Sequence, residues 1–351
     1  MLGEWAKWCC LHLASYIKIK KLMSIKIHLA PMAGITDSAM RIITMRHGAD
    51  VCYTEMVSAA GIANDSRRTF QLLEKLPEEG PVVAHIYGAN PDYMQKTAEV
   101  ITELGCFSGI DINGGCPVHK VTRSGSGAAL MRNPKLVEKI VAATVKGTNL
   151  PVSFKTRIGL HPGEITIYDI AKAVEAGGAS QLTVHGRVAS KEHRGEVDFD
   201  LLREAVNLVS INVVVNGGIR TPEDAKHMIE KTGAKSIMLG QGAMGNPWLF
   251  KRISEYVNNG IELPPPTNEE LMSVLAEHFQ LAMQFQQQIR DNYPEELWPS
   301  GDPEQSAVSC FKRFMFHYFR GMRGVTDLRR QMNEYKTISD VMNAIAQYMH
   351  F

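Results

Sequence analysis

The sequence predicts an α/β protein, a (β/α)8 TIM barrel followed by a small C-terminal helical domain. From residue 27 onward, short apolar runs rich in β-formers alternate with helical stretches eight times. Such an alternation is typical of a parallel sheet, and eight units suggest that the sheet closes into a barrel. A doubly wound sheet is the alternative, but no GxGxxG motif follows the first run.

Eight predicted strands and four well-marked helices carry this assignment. The strands are Ile27–Ala30, Val51–Thr54, Val82–Tyr87, Gly109–Asn113, Val152–Thr156, Gln181–His185, Ile211–Asn216 and Ser236–Gly240. The helices are Pro91–Leu104, Pro134–Val145, Ile165–Ala176 and Pro222–Lys231. The last helix has the clearest start, because Thr221 suits the N-cap and Pro222 suits the first helical position.

Both ends of the chain differ from this pattern. Residues 1–22 hold a short apolar run with lysines mostly behind it, and we expect them to be an extension outside the fold, upstream of a start at Met23. The barrel is assigned to residues 23–258. A Pro-rich linker leads into a helical domain, residues 265–351, with predicted helices over Glu269–Arg290 and Ser306–Phe319 and another from Asp327.

Composition limits the class of protein. The chain has 351 residues, of which 44% are hydrophobic and 21% charged, at a formal net charge of +1. These values indicate a soluble globular protein, and no segment suits a membrane span. The six cysteines include no CxxC pair, so neither a zinc site nor a disulfide framework is indicated and a reducing cytoplasm fits best. Nothing in the sequence points to a protein partner.

Cys116 is the first candidate for a chemical role. It follows the strand Gly109–Asn113 after two glycines, whose backbone can take positive φ and approach a ligand closely. His119 and Lys120 come just behind it, and a thiol on a loop beside cationic groups is partly exposed and chemically tunable. The alternative is a small buried hydrophobic residue, as many single cysteines are.

Polar residues or glycines also end most of the other strands, which in a barrel places them on one face. The stretches concerned are Ala30–Gly34, His85–Gly88, Lys155–Arg157, His185–Arg187, Asn216–Gly218 and Gly240–Ala243. The glycine-rich ends of strands 7 and 8 suit a phosphate, bound by backbone N–H groups. No acidic cluster suits Mg²⁺ and no His/Cys set suits zinc, so we expect the phosphate of an organic cofactor. Lys155 would place a positive charge beside an electron-rich ring, as a flavin requires.

These residues together resemble the tRNA-dihydrouridine synthases. The match is carried by Ala30-Pro31-Met32-Ala33-Gly34, Asn113-Gly114-Gly115-Cys116-Pro117 with Lys120, Lys155-Thr156-Arg157, His185-Gly186-Arg187, Asn216-Gly217-Gly218-Ile219 and Gly240 through Trp248. It runs from about Ile27 to the C-terminus. The tail, from Lys312-Arg313 through Gly324 to Leu328-Arg329, is similar to the bacterial B-type branch.

The resemblance implies an FMN-bearing barrel in which NADPH reduces the flavin, hydride passes from flavin N5 to uracil C6 in tRNA, and Cys116 protonates C5. It implies a catalytic role for Cys116 and no metal ligand. Cofactor contacts are implied for Pro31, Met32, Ala33, His85, Lys155, His185, Asn216, Gly217, Gly218, Gly240 and Gln241. Substrate contacts are implied for Asn113, Lys120, Arg157 and Arg187. The helical tail is expected to bind RNA, since residues 310–336 carry seven Lys/Arg against two acids.

Two positions depart from the family pattern. His85 stands where the family usually has a flavin-contacting glutamine, and Gln241 stands where it usually has a phosphate-binding arginine. His85 can donate one hydrogen bond to a flavin carbonyl, and Gln241 supplies no charge to a phosphate, so looser FMN binding is expected. Three alternatives stay open: a flavin-dependent reductase of a small pyrimidine, a dihydrouridine synthase acting on ribosomal RNA, and an RNA-binding protein that has lost its flavin.

Overall fold

The structure is a computed structural model that describes residues 24–299, 301–312, 315–332 and 334–349. The predicted extension, residues 1–22, lies outside the described residues. Eight parallel strands form a nearly closed barrel, which confirms the predicted fold class. They are β1 (Lys26–Leu29), β2 (Cys52–Tyr53), β3 (Val82–Tyr87), β4 (Gly109–Asn113), β5 (Val152–Arg157), β6 (Gln181–His185), β7 (Asn212–Asn216) and β8 (Ser236–Leu239).

The strands are ordered around the barrel as they are along the chain. Each pairs in parallel with its neighbours from β2 to β8, and β8 then pairs with β1. The ring closes between β1 and β2 through one parallel bridge, from His28 to Val51. In the described part of the chain, three short strands lie outside this ring: Val57–Ser58 pairs with β3, while Gly159–His161 and Glu164–Ile165 form a hairpin after β5.

Helices between the strands form the outer layer. They are α1 (Ser38–Arg46), α2 (Ala59–Ala63), α3 (Pro91–Leu104), α4 (Pro134–Lys146), α5 (Ile167–Ala176), α6 (Phe199–Leu208), α7 (Pro222–Thr232) and α8 (Trp248–Asn259). Short helical turns also occur at Arg67–Phe70, His119–Thr122, Gly127–Arg132 and Ala189–Lys191. The predicted start of α7 is confirmed, because Thr221 and Asp224 form a capping box and Pro222 opens the helix.

Strand alternation decides which side chains enter the barrel. In β4, Ile110 and Ile112 are fully buried in the main core between strands and helices. Successive side chains of a strand point to opposite faces, so Asp111 and Asn113 point into the barrel. A separate apolar cluster that includes Tyr53, Val214 and Met238 belongs to this interior. The interior therefore combines an apolar cluster with a polar set near the carboxyl ends of the strands.

The tail forms a helical layer against one side of the barrel. Its helices are α9 (Asn268–Asn292), α10 (Pro303–Lys312), α11 (Val325–Met332) and α12 (Ile338–Tyr348), with short turns at Glu295–Leu297 and Met315–His317. The region predicted as one helix from Asp327 is thus two helices, and Thr337 caps the second. The α10 helix ends at Lys312 rather than continuing to Phe319.

Barrel and tail share one hydrophobic cluster. Ala39, Ile42 and Ile43 of α1 pack among apolar residues of the tail helices. In the tail, Phe311 and Phe319 are fully buried, and the Phe279 and Phe311 rings lie 3.8 Å apart. These aromatic residues are therefore part of the tail core and do not form an exposed stacking surface.

Candidate active site

A cavity of about 890 Å³ lies where the carboxyl ends of the barrel strands meet. It is within the size range of small-molecule and cofactor sites. All but one of the predicted site residues line it: Pro31, Met32, Ala33, His85, Asn113, Cys116, Lys155, Arg157, His185, Arg187, Asn216, Gly217, Gly218, Gly240 and Gln241. The fold thus collects residues spread over more than two hundred positions of the chain.

Lys120 is the exception. It is exposed on the short helix His119–Thr122 that follows the Cys116 loop, and it is not among the residues that line the cavity. The structure therefore does not bring Lys120 into the site with the others.

The two glycines before Cys116 serve close packing. Neither has positive φ, contrary to the sequence-based expectation. Instead, a Cβ on Gly114 would lie 2.1 Å from Cζ of Phe154, and a Cβ on Gly115 would lie 3.2 Å from the backbone of Thr156. The loop needs glycine because β5 passes directly beneath it.

Cys116 is partly exposed in this cavity, and its backbone is held at both ends. Its N–H donates to Oδ1 of Asn113 at 3.0 Å, and its carbonyl accepts from the N–H of Ala128 at 2.9 Å. A thiol on a fixed loop at a cavity wall can act on a bound ligand, whereas a buried structural cysteine could not. Cys52 is such a buried cysteine, and burial raises the pKa of its thiol.

His85 makes contacts that its predicted cofactor role does not include. Nδ1 lies 2.6 Å from Oδ2 of Asp111, and Nε2 lies 3.1 Å from Nδ2 of Asn113. A neutral imidazole has one N–H group, and the carboxylate of Asp111 takes it. The sequence predicts that His85 can donate a hydrogen bond to a flavin carbonyl, but in the structure that N–H is already engaged.

Lys155 is a partly buried cation in the cavity wall. Burial, with a smaller contribution from Arg157, lowers its pKa from 10.5 to about 8. Its Nζ donates to Oδ1 of Asn216 at 3.4 Å, a long hydrogen bond. An ammonium group that is desolvated and weakly paired gains most from an anionic or electron-rich ligand.

Arg157 and Arg187 hold the loop over residues 188–197 against the cavity. Arg157 donates to the carbonyl of Gly115 at 3.0 Å and to that of Glu192 at 2.7 Å. Arg187 donates to the carbonyl of Gly195 at 2.8 Å. Carbonyl groups do not neutralise a guanidinium, so both cations keep their charge for a ligand while fixing this loop.

The backbone that follows β7 requires glycine. Gly217 and Gly218 have φ values of 128° and 74°, which side-chain-bearing residues rarely adopt. A Cβ on Gly217 would also lie 2.9 Å from the His185 ring. Burial and the nearby Arg157 and Lys155 lower the pKa of His185 well below 6.5, so this ring is neutral at pH 7.

Sequence analysis missed several residues of the site. Met56 and His193 line the cavity, and Asp111 holds His85 from behind. Asp111 had a detectable signal, since it is a carboxylate at the centre of an apolar strand run and lies two positions before Asn113, on the same face. Met56 and His193 had no such signal, because they lie on irregular segments that reach the site only in the folded chain.

The charges that line the cavity favour an anion. The lining includes four cations, Lys155, Arg157, Arg187 and Arg220, and only two carboxylates, Glu192 and Asp224. The Asp224 carboxylate already accepts from the N–H groups of Arg220 and Thr221.

Among the described residues, no group of three or more His, Cys, Asp or Glu side chains is arranged to hold a metal ion. Within the same residues, no helix has the length and apolar character needed to cross a bilayer.

Fold and site together define a TIM barrel whose C-terminal face carries a cavity lined by several cations and a cysteine. A family model described as dihydrouridine synthase matches residues 28–349. The chain therefore belongs to the dihydrouridine synthase family. This confirms the predicted family and the predicted oxidoreductase, and it is consistent with a flavin cofactor.

Curated relatives place the resemblance in the B-type branch, as predicted. The chain is 38% identical to tRNA-dihydrouridine synthase B of Shewanella oneidensis, with 71% of this chain and 77% of that protein covered. It is 31% identical to the protein of that name from Vibrio cholerae, with 91% and 94% covered. For the Pseudomonas aeruginosa protein, the identity is 32% and both coverages are 92%. The last two matches take in the tail as well as the barrel.

Proposed function

We propose that this protein reduces uridines in tRNA to 5,6-dihydrouridine, with FMN in the cavity, NADPH as the electron donor and Cys116 as the proton donor. One observation carries the proposal: Cys116 lines the same cavity as the positive-φ glycines that follow β7 and the partly buried cation Lys155. The cysteine thus shares one cavity with a glycine-rich turn that would suit a phosphate and with a cation that would suit a reduced flavin ring.

The residues present fit FMN. Backbone N–H groups at Gly217, Gly218, Gly240 and Gln241 would hold the phosphate, with Arg187 and Arg220 supplying the charge that Gln241 lacks. Pro31, Met32 and Ala33 would line the flavin. When bound, the flavin supplies hydride to C6 of the uracil. Lys155 would stabilise the negative charge that a reduced ring carries.

Cys116 would hold the proton that the second half of the reaction requires. Carbon C5 of the uracil gains a proton as C6 is reduced, and a weak acid positioned on a fixed loop suits that transfer. The Cys116 backbone is fixed by Asn113 and Ala128, so the thiol is presented at a constant position. Arg157 and Arg187 would fix the loop over residues 188–197 and so limit the access of water.

The tail would supply much of the affinity for tRNA. Arg320, Arg323, Arg329 and Arg330 are exposed there. The tail also packs next to the cavity rim: a Cβ on Gly245 would lie 2.2 Å from the backbone N of Tyr318, and the preceding Met244 lines the cavity. A uridine must leave its stack to reach the cavity, and a basic surface at the rim would hold the phosphates on either side.

The test compares the variant Cys116→Ala with the control variant Cys106→Ala. Cys106 is an exposed cysteine that lines a different cavity. We expect the Cys116 variant to keep FMN and NADPH-driven flavin reduction, while dihydrouridine formation falls by roughly 10²–10⁴-fold. The Cys106 variant should match the wild type. Parallel assays with tRNA, ribosomal RNA and free uracil as substrates distinguish the proposed substrate from ribosomal RNA and from a small pyrimidine. Equal rates of tRNA reduction in wild type and the Cys116 variant would refute the assignment, and a purified protein that cannot take up FMN would refute the proposed function.

A further inference from the structure

A chain of hydrogen bonds runs from the barrel interior to the Cys116 loop. It begins at Asp111, which is fully buried and accepts from Oγ of Ser153 at 2.5 Å. The second carboxylate oxygen of Asp111 faces Nδ1 of His85 at 2.6 Å. His85 on β3, Asp111 on β4 and Ser153 on β5 are register partners on neighbouring strands, so the barrel itself sets these contacts.

Asn113 links the His85–Asp111 pair to the Cys116 loop. Its Oδ1 accepts from the N–H groups of Gly115 and Cys116, at 3.1 and 3.0 Å. These two bonds fix the orientation of the amide, because only the oxygen can accept. The Nδ2 group then donates to Nε2 of His85 at 3.1 Å and to Sδ of Met56 at 2.8 Å. Both the oxygen and the NH2 group of the Asn113 side chain are therefore engaged in hydrogen bonds.

The amide orientation determines the tautomer of His85. Since Nδ2 of Asn113 can only donate, Nε2 of His85 must accept and carries no proton. The ring proton is then on Nδ1 and is donated to Asp111. The His85 ring thus accepts one hydrogen bond and donates one, and the Asp111 carboxylate fixes the orientation of the ring.

We propose that Asp111, His85 and Asn113 form a positioning relay that fixes the Cys116 thiol for proton donation. The inference rests on the proposed function. His85 is a positioning residue in this scheme, since it acts through Asn113 and not on the substrate. If the acceptor at Nε2 is lost, Nδ2 of Asn113 loses a buried partner, and the amide is free to turn away from the N–H groups of Gly115 and Cys116.

Two substitutions at His85 distinguish the role of its Nε2 contact from that of its Nδ1 contact. In His85→Gln, the side-chain oxygen reaches the position of Nε2 and can still accept from Asn113. In His85→Asn, the shorter amide reaches only the position of Nδ1, so it can donate to Asp111 but leaves Asn113 without its acceptor. Rescue by Gln and not by Asn is the result that a merely space-filling role for His85 would not give.

The measurements are made on the flavin-loaded wild type and both variants. For His85→Asn we expect kcat for uridine reduction to fall roughly 10- to 100-fold, because a small displacement of a reacting group costs about this much. FMN affinity and the rate of NADPH-driven flavin reduction are measured in parallel, because His85 also lines the cavity; a loss of kcat that is explained by a loss in either of them would assign His85 to the cofactor and overturn the relay. His85→Gln should stay within a few-fold of wild type. Equal loss in both variants, or no loss in either, would overturn the relay.

Two readouts test the relay without any turnover. The rate of Cys116 alkylation by iodoacetamide, with Cys106 as the internal reference, should change in His85→Asn and not in His85→Gln. Selective ¹⁵N labelling of histidine in the wild type should show His85 as the neutral Nδ1–H form at pH 7; an Nε2–H form or an imidazolium would overturn the relay even if both variants fail to fold. A wild type that has this tautomer but cannot reduce uridine would contradict the proposed function and leave the relay standing.

Discussion

Replacing Lys155 by methionine should change how the stability of the flavin-free protein depends on pH. The substitution removes the ammonium group and keeps the length of the stem in the cavity wall. Burial and the nearby Arg157 lower the pKa of Lys155 to about 8, compared with 10.5 in the unfolded chain. A charged Lys155 is therefore unfavourable in the folded protein without its ligand.

The size of the effect follows from these two values. Each unit of pKa corresponds to about 1.4 kcal/mol, so at pH 7 the charged lysine lowers the free energy of unfolding by about 3 kcal/mol. Between pH 8 and 10.5 the unfolded chain binds more protons than the folded protein, and stability attributable to this group rises with pH. At pH 9.5 the remaining penalty is about 1.4 kcal/mol. The long bond to Asn216 offsets little of this.

The assay is urea unfolding of flavin-free protein at pH 7, 8, 9 and 9.5 for the wild type, Lys155→Met and Lys139→Met. Lys139 is an exposed lysine on α4 and serves as the matched control. We expect Lys155→Met to be more stable than wild type at pH 7 and the gap to narrow toward pH 9.5. Using the difference between proteins removes the contribution of tyrosines and cysteines that titrate in the same range. A gap that stays constant from pH 7 to 9.5, or widens with pH, would refute the reasoning.

Three further outcomes are expected. Gln241→Arg should tighten FMN binding by roughly 1 kcal/mol, the difference between a charged and a neutral hydrogen bond, as measured by fluorescence titration of the flavin. Unchanged affinity would mean that the side chain at position 241 does not reach the phosphate. Charge reversal at Arg320 and Arg323, which are exposed, should weaken tRNA binding and lower its salt slope by about 0.9 per lost phosphate contact, whereas an unchanged slope would place RNA binding elsewhere. Ending the chain near Pro264 should destabilise the barrel, because α1 loses the tail residues that cover Ile42 and Ile43; a truncated protein that melts like the full chain would contradict this.

For the tail, the structure limits which basic residues can report on RNA binding. Nζ of Lys312 donates to the carbonyl of Tyr335 at 2.6 Å, so substituting this lysine would also disturb the helical layer. Arg313 lies outside the described residues. Arg320 and Arg323 are therefore the better positions for charge reversal.

The sequence by itself determined the order of the barrel elements and the bounds of the eight strands to within one residue. Predicted strands such as Gly109–Asn113 and Gln181–His185 agree with the structure residue for residue. Strand and helix periodicities are local properties, and so is the capping of α7 by Thr221. The sequence also predicted fifteen of the residues that share the cavity, because the carboxyl ends of parallel strands must meet on one face.

Only the tertiary structure decided which groups those residues contact. The packing of Gly114 on Phe154, the engagement of His85 by Asp111 and the exposure of Lys120 depend on residues far apart in the chain or on the path of an irregular loop. The cover of α1 by the tail likewise joins segments more than two hundred residues apart. Periodicity tells which face of an element is apolar and not which element will cover it, so these contacts become visible only once the chain is folded.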